Sequence, residues 1–314
     1  MEDYPQTLME FEKRFSSEEA CHQYLFQFRW PNGFRCPRCD HPKAWLTKRK
    51  LYHCAQCEYE ASITTGTIFQ DTSKPLSVWF RAIWHITNQK HGISALGLQR
   101  TLGLGSYRTA WSWLHKLRLA MVRSGRDQLS GSVEVDETYI GGPRTGKRGR
   151  GASGKTLVLI MAQKDGKGIG RIRLKRILDA SADSLNSAVK ESIQPGSAVC
   201  TDGWEGYNSL TKLGYVHNII RKKSHMGDNL LPLANRIVSL LKRWLLGTHQ
   251  GSFRSTHLDF YLDEFTFRFN RRTSKFRGKL FYRLIQQAVD FPPVLSKDIL
   301  GGIAKKKPQH IGLT

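Results

Sequence analysis

The chain has 314 residues, 39% of them hydrophobic, with 8 Trp and 15 Phe; that is ample for one large domain or two to three small ones and excludes a disordered tail protein. Lys+Arg number 49 against 26 Asp+Glu, a net charge of +23, which points to a polyanionic partner because each neutralised phosphate releases condensed counterions. No apolar run approaches the roughly 18 residues of a membrane span, and Met1-Glu2-Asp3-Tyr4-Pro5-Gln6 lacks the basic-then-apolar order of a secretory signal, so no membrane association is expected and a cytoplasmic location is.

In chain order, 1–33 reads as a helical lead-in, with Phe15, Cys21, Tyr24, Leu25 and Phe28 near helical spacing and a break at Pro31-Asn32-Gly33. Residues 34–70 are short, turn-rich and carry four cysteines. Helices follow at about 76–89, 93–102 and 106–122, broken at Lys90-His91-Gly92 and at Leu102-Gly103-Leu104-Gly105-Ser106, and make 71–125 a helix-turn-helix-like segment. From residue 131 the period changes. Ser132 to Ile140 alternates as a strand does, 156–162 is a fully apolar strand, and 168–177 is a third. A helix at 180–192, a strand at 197–201, a helical 205–213, a strand-like 215–220, a helix at 231–246 ended by Gly247 and another at 256–269 complete an α/β domain around a mixed sheet, taken as 131–290. A basic tail, 291–314, carries Lys305-Lys306-Lys307.

Cys36-Pro37-Arg38-Cys39 and Cys54-Ala55-Gln56-Cys57 are two C-x-x-C turns separated by 14 residues. Two such turns can set four thiolates around a tetrahedral Zn²⁺, and four cysteines leave no open position, so the site reads as structural. A redox C-x-x-C would need only one pair beside a βαβ unit. Cys21 and Cys200 have no evident partner, which is not the usage of a disulfide framework. The ribbon would display Arg35, Arg38, Lys48, Arg49 and Lys50 to DNA or to a partner subunit.

The helical segment carries Trp79, Trp84, Trp111 and Trp113, and the helix opened by Ser106-Tyr107-Arg108-Thr109 also carries Lys116 and Arg118. A DNA-reading helix-turn-helix fits, with Arg108 and Lys116 as contacts; a plain helical linker with core tryptophans is the alternative. Further on, Asp136 and Asp202 each read as ending a strand, where a rigid sheet can aim two carboxylates at shared Mg²⁺ or Mn²⁺. Alone, each also reads as an ordinary turn residue. On the 231–246 helix, expected to be largely buried, Asn235, Ser239 and Lys242 share one face, and Lys242 can hold a DNA phosphate as a point charge.

Taken together, these motifs resemble one family along essentially the whole chain. The matching stretches are Phe34-Arg35-Cys36-Pro37-Arg38-Cys39, Tyr52-His53-Cys54-Ala55-Gln56-Cys57, Thr65-Gly66-Thr67-Ile68-Phe69, Val135-Asp136-Glu137-Thr138-Tyr139-Ile140-Gly141-Gly142 and Thr201-Asp202-Gly203-Trp204-Glu205-Gly206-Tyr207. Ser239-Leu240-Leu241-Lys242-Arg243, Gly247-Thr248-His249, Tyr261-Leu262-Asp263-Glu264-Phe265 and Arg268-Phe269-Asn270-Arg271-Arg272 match as well. The sequence resembles insertion-sequence DNA transposases of the DDE superfamily, in the group with an N-terminal zinc ribbon before an RNase H-like catalytic domain. The resemblance implies that Asp136 and Asp202 are the first two metal-binding acids. The third position, usually Glu, falls on Asn235, a D-D-N arrangement followed by Lys242. An amide oxygen can ligate Mg²⁺ but brings no charge and is no base, so a weaker second metal is implied; Asp228 and Glu264 are the fallback ligands.

The implied reaction is hydrolysis at the transposon end, which frees a 3′-OH, followed by attack of that 3′-OH on target DNA. The implied partners are the inverted-repeat ends, target DNA and at least a second copy of the chain. Lys147, Arg148, Arg150, Lys242, Arg243, Arg271 and Arg272 join the DNA-contacting set, and His249 lies in a family-like stretch.

Other signals are set aside. Gly149-Arg150-Gly151-Ala152-Ser153-Gly154-Lys155-Thr156 spells a phosphate loop, but a strand follows where a helix is required, so no nucleotide cofactor is expected. His217 and His257 read as ordinary hydrogen-bonding residues. Two rival functions stand beside the transposase: a domesticated zinc-ribbon DNA-binding regulator without catalysis, for which Asn235 is the best argument, and a metal-dependent nuclease of the same fold.

Overall fold

The computed structural model describes residues 2–123, 125–141, 155–221, 230–251 and 253–301. The chain forms two compact units, one from 1–124 with 274–314 and one from 125–273. The basic loop with Lys147, Arg148 and Arg150, the fallback ligand Asp228 and the Lys305-Lys306-Lys307 tail lie outside the described residues.

The first unit opens with two helices where the sequence reading has one helical lead-in: α1 (Leu8–Arg14) and α2 (Glu18–Arg29). Thr7 and Ser17 cap them, each side chain accepting a backbone N–H of the first turn. A three-stranded antiparallel ribbon follows, β1 (Ala44–Leu46), β2 (Tyr52–Cys54) and β3 (Glu60–Ala61). Next come α3 (Leu76–Asn88), α4 (Ala95–Leu102) and α5 (Tyr107–Ala120). Gly103, at φ 60°, ends α4, and the Ser106 hydroxyl accepts from Arg108 N at the start of α5, so a tight turn joins the two helices. Pro75 offers α3 no side-chain cap. Glu18 of α2 does so instead, its carboxylate accepting from the backbone N–H groups of Leu76 (2.6 Å) and Ser77 (3.0 Å). Trp79, Trp84 and Trp113 are buried, and Trp79 stacks on Trp113 with ring centroids 3.7 Å apart, so these tryptophans are core.

The second unit is built on β4 (Ser132–Ile140), β5 (Thr156–Asp165), β6 (Gly168–Ile177), β7 (Ala198–Thr201) and β8 (Val216–Ile219). Their order is β6-β5-β4-β7-β8, the first three antiparallel and the last two parallel to β4. The helices are α6 (Ala182–Ser192), α7 (Pro232–His249) and α8 (Leu258–Phe269). The unbroken apolar run of β5 is buried on both faces: Leu157, Leu159 and Met161 pack with Leu185, Ala188 and Val189 of α6, while Val158, Ile160 and Ala162 pack with α7 and α8. This mixed sheet, covered on both sides, is the expected RNase H-like architecture. Its β6 edge is closed by side chains. Asn270 accepts from Ile172 N (2.7 Å) and donates to Ile172 O (3.1 Å), and Arg272 donates to the carbonyls of Ile169 and Gly170.

Three local expectations change. The 205–213 stretch forms two short 3₁₀ turns, Glu205–Tyr207 and Thr211–Leu213, rather than one helix. Gly247 does not end α7, which runs to His249 and turns at Gln250, φ 51°. The third is α7 itself, which is amphipathic rather than largely buried. Ala234, Ile237, Leu241, Trp244 and Leu245 face the core, and Ser239, Lys242 and Arg243 are exposed.

Past Ser274 the chain rejoins the first unit, where the sequence reading continues the catalytic domain to 290 and then a tail. There α9 (Gly278–Asp290) packs on α2, α3 and α5, and α10 (Ser296–Leu300) packs on α5. Phe281 sits within 5.4–6.2 Å of the rings of Phe11, Phe15, Phe80, Trp84 and Tyr24. Gly278 is required at the start of α9, since a Cβ there would lie 1.6 Å from the Pro5 carbonyl oxygen.

Candidate active site and zinc centre

In the ribbon the four Sγ atoms of Cys36, Cys39, Cys54 and Cys57 lie within 4.8 Å of one another. Cys36–Cys57 and Cys39–Cys54 are each 3.6 Å apart. Thiolates about 2.3 Å from a tetrahedral Zn²⁺ would stand about 3.8 Å apart, so the donor set fits zinc. Both knuckles turn alike: Asp40 N donates to Cys36 O and Glu58 N to Cys54 O, with φ 59° and 57° just past each second cysteine. Of the basic residues expected on the ribbon, Arg35, Arg38, Lys48, Arg49 and Lys50 are all exposed. Arg49 pairs with Glu60 at 2.6 Å and Lys50 with Glu19 at 2.5 Å.

In the second unit Asp136 is not at a strand end. β5 pairs with β4 from Val133 to Ile140 and carries the strand past it. What ends near Asp136 is the parallel pairing with β7, whose register runs Ser132↔Ala198, Val133↔Val199, Glu134↔Cys200. The pairing stops at Glu134↔Cys200; Asp136 lies two residues beyond it on β4, and Asp202, the residue after the last of β7, lies two residues beyond it on the other side. Val133 and Val135 point into the α6 side of the core, so Glu134 and Asp136 present to the α7 side. Asp136 is half-buried and Asp202 exposed.

The turn that carries Asp202 is anchored at several points. Its Oδ1 accepts from Trp204 N (3.0 Å), the Trp204 indole donates to Ala180 O (2.9 Å), and Thr201 Oγ1 lies 2.9 Å from His217 Nε2. Gly203 holds φ 85°, and a Cβ there would stand 2.6 Å from Ile219 Cγ2. Buried Tyr207 donates its hydroxyl to Glu137 at 2.7 Å. Burial, chiefly, holds that phenol well above its ordinary range, and then the charges of Glu137, Asp136 and Asp202 raise it further. One hydroxyl thus feels all three carboxylates.

Asn235 lies half-buried in the first turn of α7. That turn has no cap of its own, since Leu231 supplies no side-chain acceptor and Pro232 opens the helix. Glu134 takes the part, with Oε2 accepting from Leu233 N at 2.7 Å and Ala234 N at 3.0 Å. Burial raises the Glu134 pKa, against the lowering effect of those two bonds. Nothing in the sequence marks Glu134: it alternates with two valines, and its partners lie about a hundred residues away.

The remaining candidates spread out. Lys242 and Arg243 are exposed along α7, Arg108 is exposed at the start of α5, and Lys116 is half-buried, its ammonium pKa lowered by that burial. Arg271 lies over the Phe267 ring and Arg272 over the Phe269 ring, each 4.0 Å from the centroid. His249 packs edge-on against Trp244 and Tyr261. Glu264 is wholly buried in α8, and so withdrawn from solvent.

Comparison with known proteins adds two domain matches. A transposase zinc-ribbon domain matches residues 16–60, and an ISXO2-like transposase domain matches residues 128–270. An uncharacterised protein in transposable element ISH50 of Halobacterium salinarum is 27% identical over 264 residues, 76% of this chain and 86% of that protein. Among solved structures, the catalytic core domain of BIV integrase aligns at TM-score 0.30 and 12% identity, over 43% of this chain and 81% of that one. A pre-cleavage Mos1 transpososome aligns at TM-score 0.28 and 13% identity, over 77% and 83%. Zinc ribbon and transposase domain follow one another in the order the motifs indicate: the chain carries a transposase zinc-ribbon domain followed by an ISXO2-like transposase domain.

Proposed function

We propose that this transposase cuts transposon ends and joins them to target DNA by phosphoryl transfer, with Asp136, Asp202 and Asn235 holding Mg²⁺ or Mn²⁺. The observation that supports the reading is the parallel pairing of β4 with β7, beyond whose last pair Asp136 and Asp202 each lie two residues on, together with Asn235 in the first turn of α7. Divalent cations held there would supply charge stabilisation to the attacking and leaving oxygens of an in-line displacement. Asp136 and Asp202 bring the negative charge that attracts them. Asn235 offers only a neutral amide oxygen, so it orients without adding charge and takes no proton.

Lys242, about two turns beyond Asn235 on α7, holds a DNA phosphate as a point charge. Arg108, Lys116, Arg243, Arg271 and Arg272 contribute to the phosphate-binding surface that the net charge of +23 indicates, as do Lys147, Arg148 and Arg150 of the loop outside the described residues. The ribbon carries structural Zn²⁺ on its four cysteines, and pairing two DNA ends calls for at least two copies of the chain. The domains run as helical lead-in 1–33, ribbon 34–70, DNA-reading helices 71–125 and catalytic domain from 131.

The test is cleavage of DNA flanking the protein's own gene, in Mg²⁺ and in Mn²⁺, beside Asp136→Ala and Asn235→Ala. Nicking at defined flanking positions, abolished in Asp136→Ala and weakened in Asn235→Ala, is the expected result. Binding to the same DNA without nicking in either ion would replace this reading with that of a DNA-binding regulator, with Asn235 as the cause.

A further inference from the structure

We propose that Glu134 is a positioning residue for the metal-holding face, fixing where Asn235 stands relative to Asp136. The inference rests on the reading of Asp136, Asp202 and Asn235 given above. Glu134 is two residues before Asp136 on the same strand, so the two side chains leave β4 on the same face. Its Oε2 accepts from the N–H groups of Leu233 and Ala234, the two residues immediately before Asn235. The helix opens with Pro232, and Leu231 contributes no capping side chain. Two orphan N–H donors at the positive end of α7 are therefore satisfied by a carboxylate from the strand that bears Asp136. Both bonds converge on one oxygen, which clamps the first turn from a point on the sheet rather than tethering it at one atom.

The consequence is specific to an Asn at the third position. A Glu there would be drawn to a cation by its own charge and would tolerate a loosely held helix end. A neutral amide has only the intrinsic weakness of a dipole to offer, so its contribution depends on its oxygen already being in place. Glu134 supplies that placement through Oε2, which accepts from the two N–H groups. The same device occurs in the first unit. Glu18 accepts from Leu76 N and Ser77 N at the start of α3. The cap at α7 differs because the turn it holds carries the amide and the strand it comes from carries the acid.

The experiment is Mn²⁺ binding by the zinc-loaded full chain, followed by electron paramagnetic resonance, with Asp136→Ala defining the site. Amide hydrogen exchange at 233–235 is measured in parallel, on Glu134→Ala, Glu134→Gln, Asn235→Ala and the Glu134→Ala/Asn235→Ala pair. Glu134→Ala should weaken the Asp136-dependent Mn²⁺ site by about 10- to 100-fold, the range for partners that orient ligands. It should also accelerate exchange at Leu233 and Ala234. Glu134→Gln keeps an acceptor oxygen and should restore most of both. In the Asn235→Ala background, removing Glu134 should cost little more, because the two act as one.

Wild-type Mn²⁺ affinity in Glu134→Ala, with faster amide exchange, would reduce Glu134 to a helix cap and overturn the proposal. Equal losses in Glu134→Ala and Glu134→Gln, additive with Asn235→Ala, would overturn it in favour of direct ligation. Absence of any Asp136-dependent site in the wild type would remove the underlying reading and this inference with it.

Discussion

Gly203 shows how narrowly single residues set the candidate site. It follows Asp202 directly, holds φ 85°, and leaves no room for a Cβ against Ile219. The left-handed backbone alone costs a side-chain-bearing residue about 1–2 kcal/mol. Relief of the contact would move either β8 or the turn that orients Asp202. Gly203→Ala is therefore expected to lower the thermal midpoint modestly and to depress metal-dependent DNA nicking far more steeply. Loss of stability with nicking preserved in the folded fraction would show that the turn does not orient the carboxylate.

Among the elements, the ribbon is the one least able to stand on its own packing. Its strands are two or three residues long, and Trp45 and Leu46 on β1 are more than half exposed. Four clustered thiols take the place of a core, which is the arrangement of small domains whose folding is coupled to metal. Cys39→Ser, or removal of zinc by a chelator, should unfold 34–61 while leaving the sheet of the second unit intact. Circular dichroism with a zinc assay reads the first, and hydrogen exchange across β4–β6 reads the second. Retention of the ribbon's exchange protection without zinc would contradict the assignment.

At the scale of the whole chain, the first unit is made of two stretches separated by the whole of the second. Phe281 of α9 is its keystone, fully buried among aromatic rings contributed by α1, α2 and α3. Truncating a buried Phe costs about 3–5 kcal/mol. Phe281→Ala should therefore lower the unfolding midpoint of the first unit, although the residue lies beyond the transposase domain match at 128–270. A midpoint unchanged in the variant would mean that the N-terminal helices form their core without α9.

What could be read from the sequence was what depends on near neighbours. The C-x-x-C turns, the alternation of Ser132 to Ile140, the apolar run at 157–162 and the glycine breaks around α4 each express a local backbone or side-chain preference, and each appears in the structure close to where it was expected. The two aspartates were legible as candidates, but the pairing of their strands was not. It joins segments more than sixty residues apart, and a register is written in no single segment. The return of 274–314 to the first unit was not legible for a related reason. The apolar stripe of α9 states that it must be buried but not against what, and only assembly shows its partner to be the N-terminal helices. Glu134 and Glu18 are the sharpest cases, because a carboxylate in a strand or helix carries no mark of the distant helix end it caps. Secondary structure follows from short-range sterics and periodicity, whereas the candidate site depends on which distant hydrogen-bond donors the closed core leaves beside each acid.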